Sequence, residues 1–263
     1  MDAERNGENS GEKNMKITPI RTHKITTADK NILKIVDQYI PKLKENSILA
    51  ITSKIVSICE GSVVKIGKMK KEDLIRKEAD FFLPLNFKSR KIYLTIKNNI
   101  IIFSSGIDRS NGNGYFILWP KNPQNCANKI RKYLAKKFSL KNFGVIITDS
   151  KSTILRRGTS GVAISHSGFL ALNDYIGKKD VFGRGLGGTR VDVVDSLAIA
   201  SVSVMGEGAE QTPMALISNV PLIKFNKSNP SKKELSELKV KMEDDYHKLL
   251  LESVKWKKGG GGK

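Results

Sequence analysis

The residues with the clearest chemical potential follow a short apolar run in the middle of the chain. Gly144-Val-Ile-Ile-Thr-Asp-Ser150 begins with glycine and β-branched residues and ends in a hydroxyl, a carboxylate and a second hydroxyl. Such a run is typical of a buried strand, so we expect Asp149 and Ser150 at the rim of a sheet. Their oxygen atoms are the kind of ligand that hard cations prefer. The alternative is a plain strand end at which Asp149 caps a turn.

Two arginines follow this run at the distance of a loop. Arg156 and Arg157 carry planar guanidinium groups, which stay charged and match the geometry of phosphate and carboxylate groups. They are therefore candidates for binding an anionic substrate and for a catalytic role. Solvated side chains on an exposed turn are the alternative.

Acidic side chains also end apolar elements at two other places. Asp108 follows the β-rich run Ile100–Phe103. Glu207 and Glu210 follow a helical pattern that ends at Met205. Oxygen ligands from several segment ends are what a pair of divalent cations on nucleotide phosphates requires, whereas unrelated solvated turns are the alternative. The basic residues that would offset phosphate charge are Lys54, Arg109, Arg156 and Arg157.

Strands and helices must both be present to bring these residues together. The β-rich segments are 47–54, 91–96, 100–103, 144–150 and 213–217, with Asn98-Asn99 as a hairpin turn between the second and the third. Helical spacing begins at Thr27 and recurs over residues 68–78, 125–138 and 191–205. Residues 55–60 fit either a helix or a strand, and 162–165 and 168–175 fit a strand or a loop.

The two ends of the chain differ in composition from the rest. Residues 1–14 are polar and are predicted to be a disordered arm. Ser231 and Glu234 match a capping box, so we predict a long helix in the extension 225–263, followed by a Gly-rich tail that frays from Gly259. The apolar stripe of this helix would be Leu235, Leu238, Met242, Tyr246 and Leu249.

The composition of the 263 residues, 39% hydrophobic and 27% charged, indicates a soluble globular protein. No apolar run approaches the ~18 residues of a membrane span, and the polar N-terminus is not a signal peptide. Cys59 and Cys126 make no disulfide framework, so we expect a cytoplasmic protein. The charge of +20 comes from lysines spread along the chain, which does not favour specific nucleic-acid binding.

Several familiar motifs are absent or incomplete. Gly183-Arg-Gly-Leu-Gly-Gly188 matches G-x-G-x-x-G, but Lys178-Lys-Asp180 precedes it where a dinucleotide fingerprint needs a buried strand. The chain has no P-loop, no metal-spaced Cys/His set and no serine-hydrolase elbow. His166 is a candidate acid or base, with a loop histidine bonded to backbone as the favoured alternative.

Five motifs in order resemble the coenzyme F420-0:L-glutamate ligases, or gamma-glutamyl ligases, over residues 17–223. They are Ser53-Lys-Ile-Val-Ser57 with Glu60-Gly61, Gly106-Ile-Asp-Arg-Ser-Asn111, Ile147-Thr-Asp-Ser150 with Arg156-Arg-Gly158, Asp174-Tyr-Ile-Gly-Lys-Lys-Asp180 with Phe182-Gly-Arg184, and Val204-Met-Gly-Glu207.

The resemblance implies an α+β, mixed-sheet fold that is not Rossmann, in a ligase domain at residues 15–224 that forms a homodimer. It also implies GTP, with ATP as the alternative, and two Mg²⁺ or Mn²⁺ sites, with K⁺ as a further candidate cation. By matching position, Asp108 and Asp149 would hold one metal, and Ser150 and Glu207 the other. The residues that would bind the nucleotide are Pro19, Ile20, Arg21, Ser53, Lys54, Asn111, Met205, Gly206, Gly208 and Glu210.

The implied reaction joins L-glutamate to an anionic carboxylate acceptor, coenzyme F420-0 or a similar molecule, through an acyl-phosphate. A folate gamma-glutamyl ligase is the first alternative, and a basic nucleic-acid-binding protein is an alternative of another class. A degenerate ligase that binds nucleotide without turnover is the third. Ile58, where members often have a nucleotide-contacting lysine, and Glu207, where many have glutamine, depart from the family pattern.

Overall fold

The computed structural model describes residues 14–262; the predicted disordered arm therefore lies outside the described residues except for Asn14. Within them the strands are β1 Lys16–Ile20, β2 Ser47–Thr52, β3 Val63–Lys65, β4 Phe81–Phe87, β5 Arg90–Lys97, β6 Ile100–Phe103, β7 Tyr115–Ile117, β8 Phe143–Ser152, β9 Thr159–Ser167, β10 Leu172–Asp174, β11 Arg190–Asp192, β12 Met214–Ser218 and β13 Lys257–Lys258. The helices are α1 Ile32–Tyr39, α2 Ser53–Glu60, α3 Lys71–Glu78, α4 Pro123–Lys137, α5 Val193–Met205, α6 Lys232–Glu237 and α7 Lys248–Glu252.

A mixed five-stranded sheet in the order β1-β12-β2-β8-β9 forms the centre of the molecule. β2 and β8 pair in parallel, and the other neighbours pair antiparallel. The apolar part of β8 is fully buried, as is usual for strands covered on both faces. These features confirm the predicted mixed sheet and are consistent with the predicted α+β class.

Alternating side chains of the central strands build a separate core on each face of this sheet. Leu49 and Ile51 of β2 pack with α1, α2 and α4, whereas Ile48 packs with α5. In β8, Ile147 belongs to the first core and Ile146 to the second. The period of two that β-strands impose therefore explains why both faces of one strand are apolar.

A smaller antiparallel sheet, β13-β4-β5-β6, carries α3 on one side. Asn98 and Asn99 both have positive φ, 49° and 67°, in the tight turn between β5 and β6, which confirms the predicted hairpin. β6 leads through a 3₁₀ turn, Ser104–Gly106, towards Asp108. This sheet thus positions one of the predicted acidic residues.

Some predicted element boundaries were wrong because polar side chains cap the helices. The first helix begins at Ile32 and not at Thr27, since Asn31 accepts a hydrogen bond from the Leu33 amide. Strand 47–54 ends at Thr52, whose side chain caps α2, so Ser53 and Lys54 are helical. The open assignment of residues 55–60 is resolved as helix.

Two other helices begin a few residues later than predicted. Helix 68–78 begins at Lys71. Helix 191–205 begins at Val193, because the Asp192 side chain accepts from the Asp195 amide. Both helices are therefore shorter at their start than predicted, and Val191 lies in β11 instead of the helix.

The long helix predicted after residue 224 is wrong. The capping box of Ser231 and Glu234 does form, but the helix it opens ends at Glu237, and α7 follows only after a 3₁₀ turn. Leu238 packs against the core beside α5, whereas Tyr246 and Leu249 are 102% and 83% exposed. Helices in proteins depend mostly on such packing, and this one is interrupted where the packing stops.

The predicted fraying of the tail from Gly259 is also wrong. β13 extends the smaller sheet at the edge of β4, and the next residues lie across the end of α3. The amides of Gly260 and Gly262 donate to the carbonyls of Arg76 and Lys77 at 3.0 and 2.9 Å. These carbonyls have no partner within their own helix, so the tail caps α3.

Candidate active site

One large cavity, of about 820 Å³, lies at the C-terminal ends of the parallel strands β2 and β8. The turn after β6 and the loop after α5 form its other walls. The predicted metal ligands all line this cavity: Asp108, Asp149, Ser150 and Glu207.

Within residues 14–262, no helix is both long enough and apolar enough to cross a membrane.

Asp149 lies inside β8 rather than at its end, because pairing with β9 continues to Ser152. It therefore does not cap a turn. Its carboxylate accepts a hydrogen bond from the Trp119 indole N–H. Burial raises the pKa of Asp149 to about 6, and the nearby Asp108 charge adds to that rise, while Trp119, the Ser150 amide and Lys54 oppose it.

Trp119 reaches Asp149 only because Gly106 has no side chain. A Cβ atom on Gly106 would lie 2.1 Å from the indole nitrogen of Trp119, and the backbone there has φ of +69°. Both the space and the conformation therefore require glycine. No sequence pattern indicates Trp119 as a site residue, since a single tryptophan before Pro120 fits an ordinary core position equally well.

Asp108 is held in place by backbone and side-chain bonds. Its amide and carbonyl both pair with Ile117, at 3.0 and 2.8 Å. Its Oδ2 atom lies 2.6 Å from the Lys54 ammonium, and Oδ1 accepts from the Ser110 amide at 2.7 Å. Burial acts to raise the pKa of Asp108, but the bonds from Lys54 and Ser110 outweigh it and lower the pKa, so this carboxylate stays charged.

Glu207 joins the loop after α5 to β8. The Ser150 hydroxyl donates to the Glu207 carboxylate. Glu210 shapes the same loop by accepting from the Gly208 amide at 2.8 Å, and Asn111 donates to the Gly208 carbonyl at 3.0 Å. Three segments that are far apart in sequence, 108–111, 149–150 and 207–210, therefore meet at one cavity.

The structure places the predicted nucleotide residues in two groups. Those that line the cavity are Lys54, Asn111, Met205, Gly206, Gly208 and Glu210. Those that do not line it are Pro19 and Ile20 in β1, Arg21 just after β1, and Ser53 at the start of α2. Thr22 and Thr52, which sequence reasoning passed over, line the cavity beside them.

The two predicted catalytic arginines are not at the cavity. Arg156 and Arg157 are exposed on the turn between β8 and β9. His166 does not line it either: the residue is 2% exposed within β9 and lies in a strand instead of the expected loop. The role of the arginines stays a prediction, and His166 has no path to a substrate in this cavity.

The donor atoms at the cavity suit a hard divalent cation that keeps other ligands. Among residues 14–262, no cluster of three or more His, Cys, Asp and Glu side chains could hold a metal ion by itself. The available donors are the side-chain oxygens of Asp108, Asp149, Ser150 and Glu207, all of which line this cavity. Mg²⁺ is commonly bound through one or two carboxylates, with water and substrate phosphates completing the shell, so the residues fit such an ion.

Comparison with known proteins links this chain to one family. Residues 19–219 match the family described as F420-0:gamma-glutamyl ligase. A coenzyme F420:L-glutamate ligase of Methanococcus maripaludis is 37% identical over 201 residues, which are 75% of this chain and 79% of the relative. Proteins of the same name from Methanocaldococcus jannaschii and Archaeoglobus fulgidus are 34% and 30% identical, covering 73% and 67% of this chain and 82% and 76% of theirs.

Proposed function

The chain belongs to the F420-0:gamma-glutamyl ligase family, and from this premise we propose that it joins L-glutamate to the carboxylate of coenzyme F420-0 in a GTP-dependent reaction. The product would contain a new amide bond. The observation that supports the proposal best is the meeting of Asp108, Asp149, Ser150 and Glu207 at one cavity beside Lys54.

The chemistry requires the acceptor carboxylate to be activated before an amine can attack it. In the proposed sequence an oxygen of the acceptor carboxylate attacks the γ-phosphorus of GTP, the bond to the β-phosphate oxygen breaks, and GDP leaves. The amine of L-glutamate then attacks the acyl carbon, inorganic phosphate leaves, and the amine loses a proton. Both steps depend mainly on positioning and on neutralising oxygen charge.

In the proposed reaction, some residues of the cavity would hold cations and Lys54 would contact phosphate. Asp108 and Asp149 would hold one divalent cation, and Ser150 and Glu207 a second. When bound, such a cation withdraws charge from phosphoryl oxygens. The Lys54 ammonium lies 2.6 Å from Asp108 and 3.0 Å from the Ser110 hydroxyl. From this position it would contact a phosphate that binds beside Asp108.

A product assay tests the proposal. The purified protein is incubated with L-glutamate, Mn²⁺ or Mg²⁺, either GTP or ATP, and either coenzyme F420-0 or a folate, and products are weighed by mass spectrometry. We expect one added glutamate on coenzyme F420-0 with GTP, and no addition without a divalent cation. Addition to folate only, or nucleotide binding with no product, would support the respective alternatives and contradict the proposal.

We also propose that the protein is a homodimer. Two loops expose large apolar side chains. Leu155, between β8 and β9 of the central sheet, is 98% exposed. Val181 and Phe182, between β10 and β11 of a separate two-stranded sheet, are 93% and 88% exposed. Contiguous exposed apolar groups often mark interaction surfaces, and Val181 and Phe182 are adjacent in the chain. A second copy of the chain would bury both loops by symmetry.

A further inference from the structure

The cavity has few positive groups with which to receive negatively charged substrates. Among the described residues that line it, the lysines are Lys24, Lys54 and Lys151. Lys54 is engaged by Asp108 and Ser110 at hydrogen-bond distance. A ligase that brings a triphosphate and two carboxylates together needs a further cation close to the point of reaction.

Lys151 is the lysine next to the predicted metal ligands and is held only loosely. It follows Ser150 directly in β8 and lines the same cavity. Its ammonium lies 3.7 Å from Oδ2 of Asp195, and its side chain is 31% exposed. That separation is too long for a hydrogen bond, so the ammonium can exchange Asp195 for another anion at little cost.

Asp195 does not depend on Lys151 for its own stability. Its Oδ1 atom accepts from the Ala163 amide at 2.8 Å. It also lies in the first turn of α5, where the helix dipole favours a negative charge. If Lys151 turns away, Asp195 keeps both of these interactions.

We propose that Lys151 determines specificity by binding a substrate carboxylate, which displaces Asp195 as its partner. The ligand is either L-glutamate or the acceptor, since both carry this group, and the inference rests on the proposed ligase function. The hydroxyls of Ser152 and Thr159 line the same cavity and can donate to the second carboxylate oxygen. Phosphate is not the expected ligand, because the divalent cations proposed at the metal sites, together with Lys54, would supply the positive charge that a phosphate needs.

Equilibrium binding tests this role without requiring turnover. L-glutamate and coenzyme F420-0 are titrated separately into the full chain with Mg²⁺ and a non-hydrolysable GTP analogue, by calorimetry. We expect Lys151→Met to lower the affinity for one of the two carboxylate ligands by roughly tenfold to hundredfold. Lys151→Arg should restore most of that affinity. The affinity of Lys151→Met for the GTP analogue should stay within about twofold of that of the unaltered protein.

Two further variants sharpen the test. Lys132→Met removes the same charge from an exposed position on α4 and is expected to change neither affinity. Asp195→Asn keeps an acceptor for the Ala163 amide but removes the competing charge, so the carboxylate that Lys151 binds should bind roughly two- to tenfold tighter.

The pattern of losses identifies the ligand. Weaker binding of glutamate alone assigns the subsite to glutamate, and weaker binding of coenzyme F420-0 alone assigns it to the acceptor. Unchanged affinities in Lys151→Met, a loss confined to the GTP analogue, or no binding of either carboxylate to the unaltered protein overturns the inference. The product assay on the unaltered protein reports separately on the proposed function.

Discussion

At the scale of the residue, Asp149 lines the cavity and is also buried among protein groups. Its carboxylate faces the cavity, yet burial raises its pKa to about 6 while a tryptophan indole fixes its position. The neighbouring Asp108 has its charge matched by Lys54. The proposed cation would add positive charge to that of Lys54, which alone does not offset the burial of Asp149.

Replacement of Asp149 should therefore lower the rate of the reaction while the protein stays folded. Asp149→Asn keeps the size of the side chain and an oxygen that can accept from Trp119, but it removes the charge. We expect ligase turnover to fall at least about 100-fold, measured as product formed per minute at saturating Mn²⁺, with thermal unfolding still cooperative. Asp244→Asn, at an exposed position in the C-terminal segment, is the matched control, and full activity of Asp149→Asn would refute the assignment.

His166 makes stability depend on pH. Burial lowers its pKa from 6.5 to about 4, while the Glu234 charge opposes this shift. Below pH 6.5 the unfolded chain binds a proton that the folded chain excludes, so stability is lost as the pH falls from 6.5 towards 4 and is unaffected above 6.5. Because of this residue, we expect the free energy of unfolding to fall by about 2 kcal/mol when the pH is lowered from about 7.5 to about 5.

Urea unfolding at the two pH values, for the unaltered protein and His166→Gln, measures this contribution. The quantity to compare is the difference between the two pH values within each protein, because the substitution itself also changes packing against Phe169, whose ring lies 5.4 Å away. Equal pH dependence of the two proteins would show that His166 takes up its proton in the folded state.

At the scale of the element, the site depends on where each strand stops and on the segment that comes next. Thr52 ends β2 and caps α2, and this places Lys54 in the first turn of the helix. β9 holds one extra residue, Ile164, opposite the step from Ile147 to Thr148. Such a bulge changes the direction of the side chains beyond it, here at the point where β8 reaches the cavity.

The glycine run after β13 is an element whose role can be tested directly. A Cβ atom on Gly259 would lie 2.2 Å from the Ala79 carbonyl oxygen. Gly259→Ala should therefore displace the tail from α3 and lower the free energy of unfolding by about 1–3 kcal/mol. Urea denaturation gives the energy, and hydrogen exchange in the last turn of α3 gives the location.

Gly187→Ala is the control for this experiment, because a Cβ atom there meets no atom within 4 Å. It should leave both the unfolding energy and the exchange pattern of α3 unchanged. Equal exchange of α3 in the two variants would mean that the tail does not cap the helix in solution.

The sequence predicts elements best where their signal is local. The apolar run of β8 and the Asn98-Asn99 turn contain their own conformational preference, and the structure confirms both. The C-terminal stripe has the same periodicity as a real helix, but the surface that would cover it is decided elsewhere in the chain. Likewise, the contact of Trp119 with Asp149 depends on the space left by Gly106, which no pattern of spacing contains.

At the scale of the whole molecule, the exposed loops decide the state of association. Leu155 and Phe182 are among the most exposed large apolar residues, and they lie on loops that connect different strand pairs. If these loops form the proposed homodimer, a charge at both positions should separate the subunits, since an unpaired buried charge is costly.

Light scattering after size exclusion measures this effect. We expect the unaltered protein to have twice the chain mass of 29.2 kDa, and Leu155→Glu with Phe182→Glu to have the mass of one chain. Leu249→Glu changes an exposed side chain in α7, outside the two loops, and this variant should stay dimeric. A monomeric unaltered protein at micromolar concentration would contradict the proposal.

The insertion of β12 between β1 and β2 has a consequence for how the chain reaches its native state. β1 and β2 both pair with Met214–Ser218, so the sheet cannot close while that strand is missing. Contacts between residues so far apart in sequence form slowly, because a long loop must be ordered first. Until then two strand edges are open to pairing with other chains. Refolding from denaturant should therefore compete with aggregation, and the yield should fall as protein concentration rises.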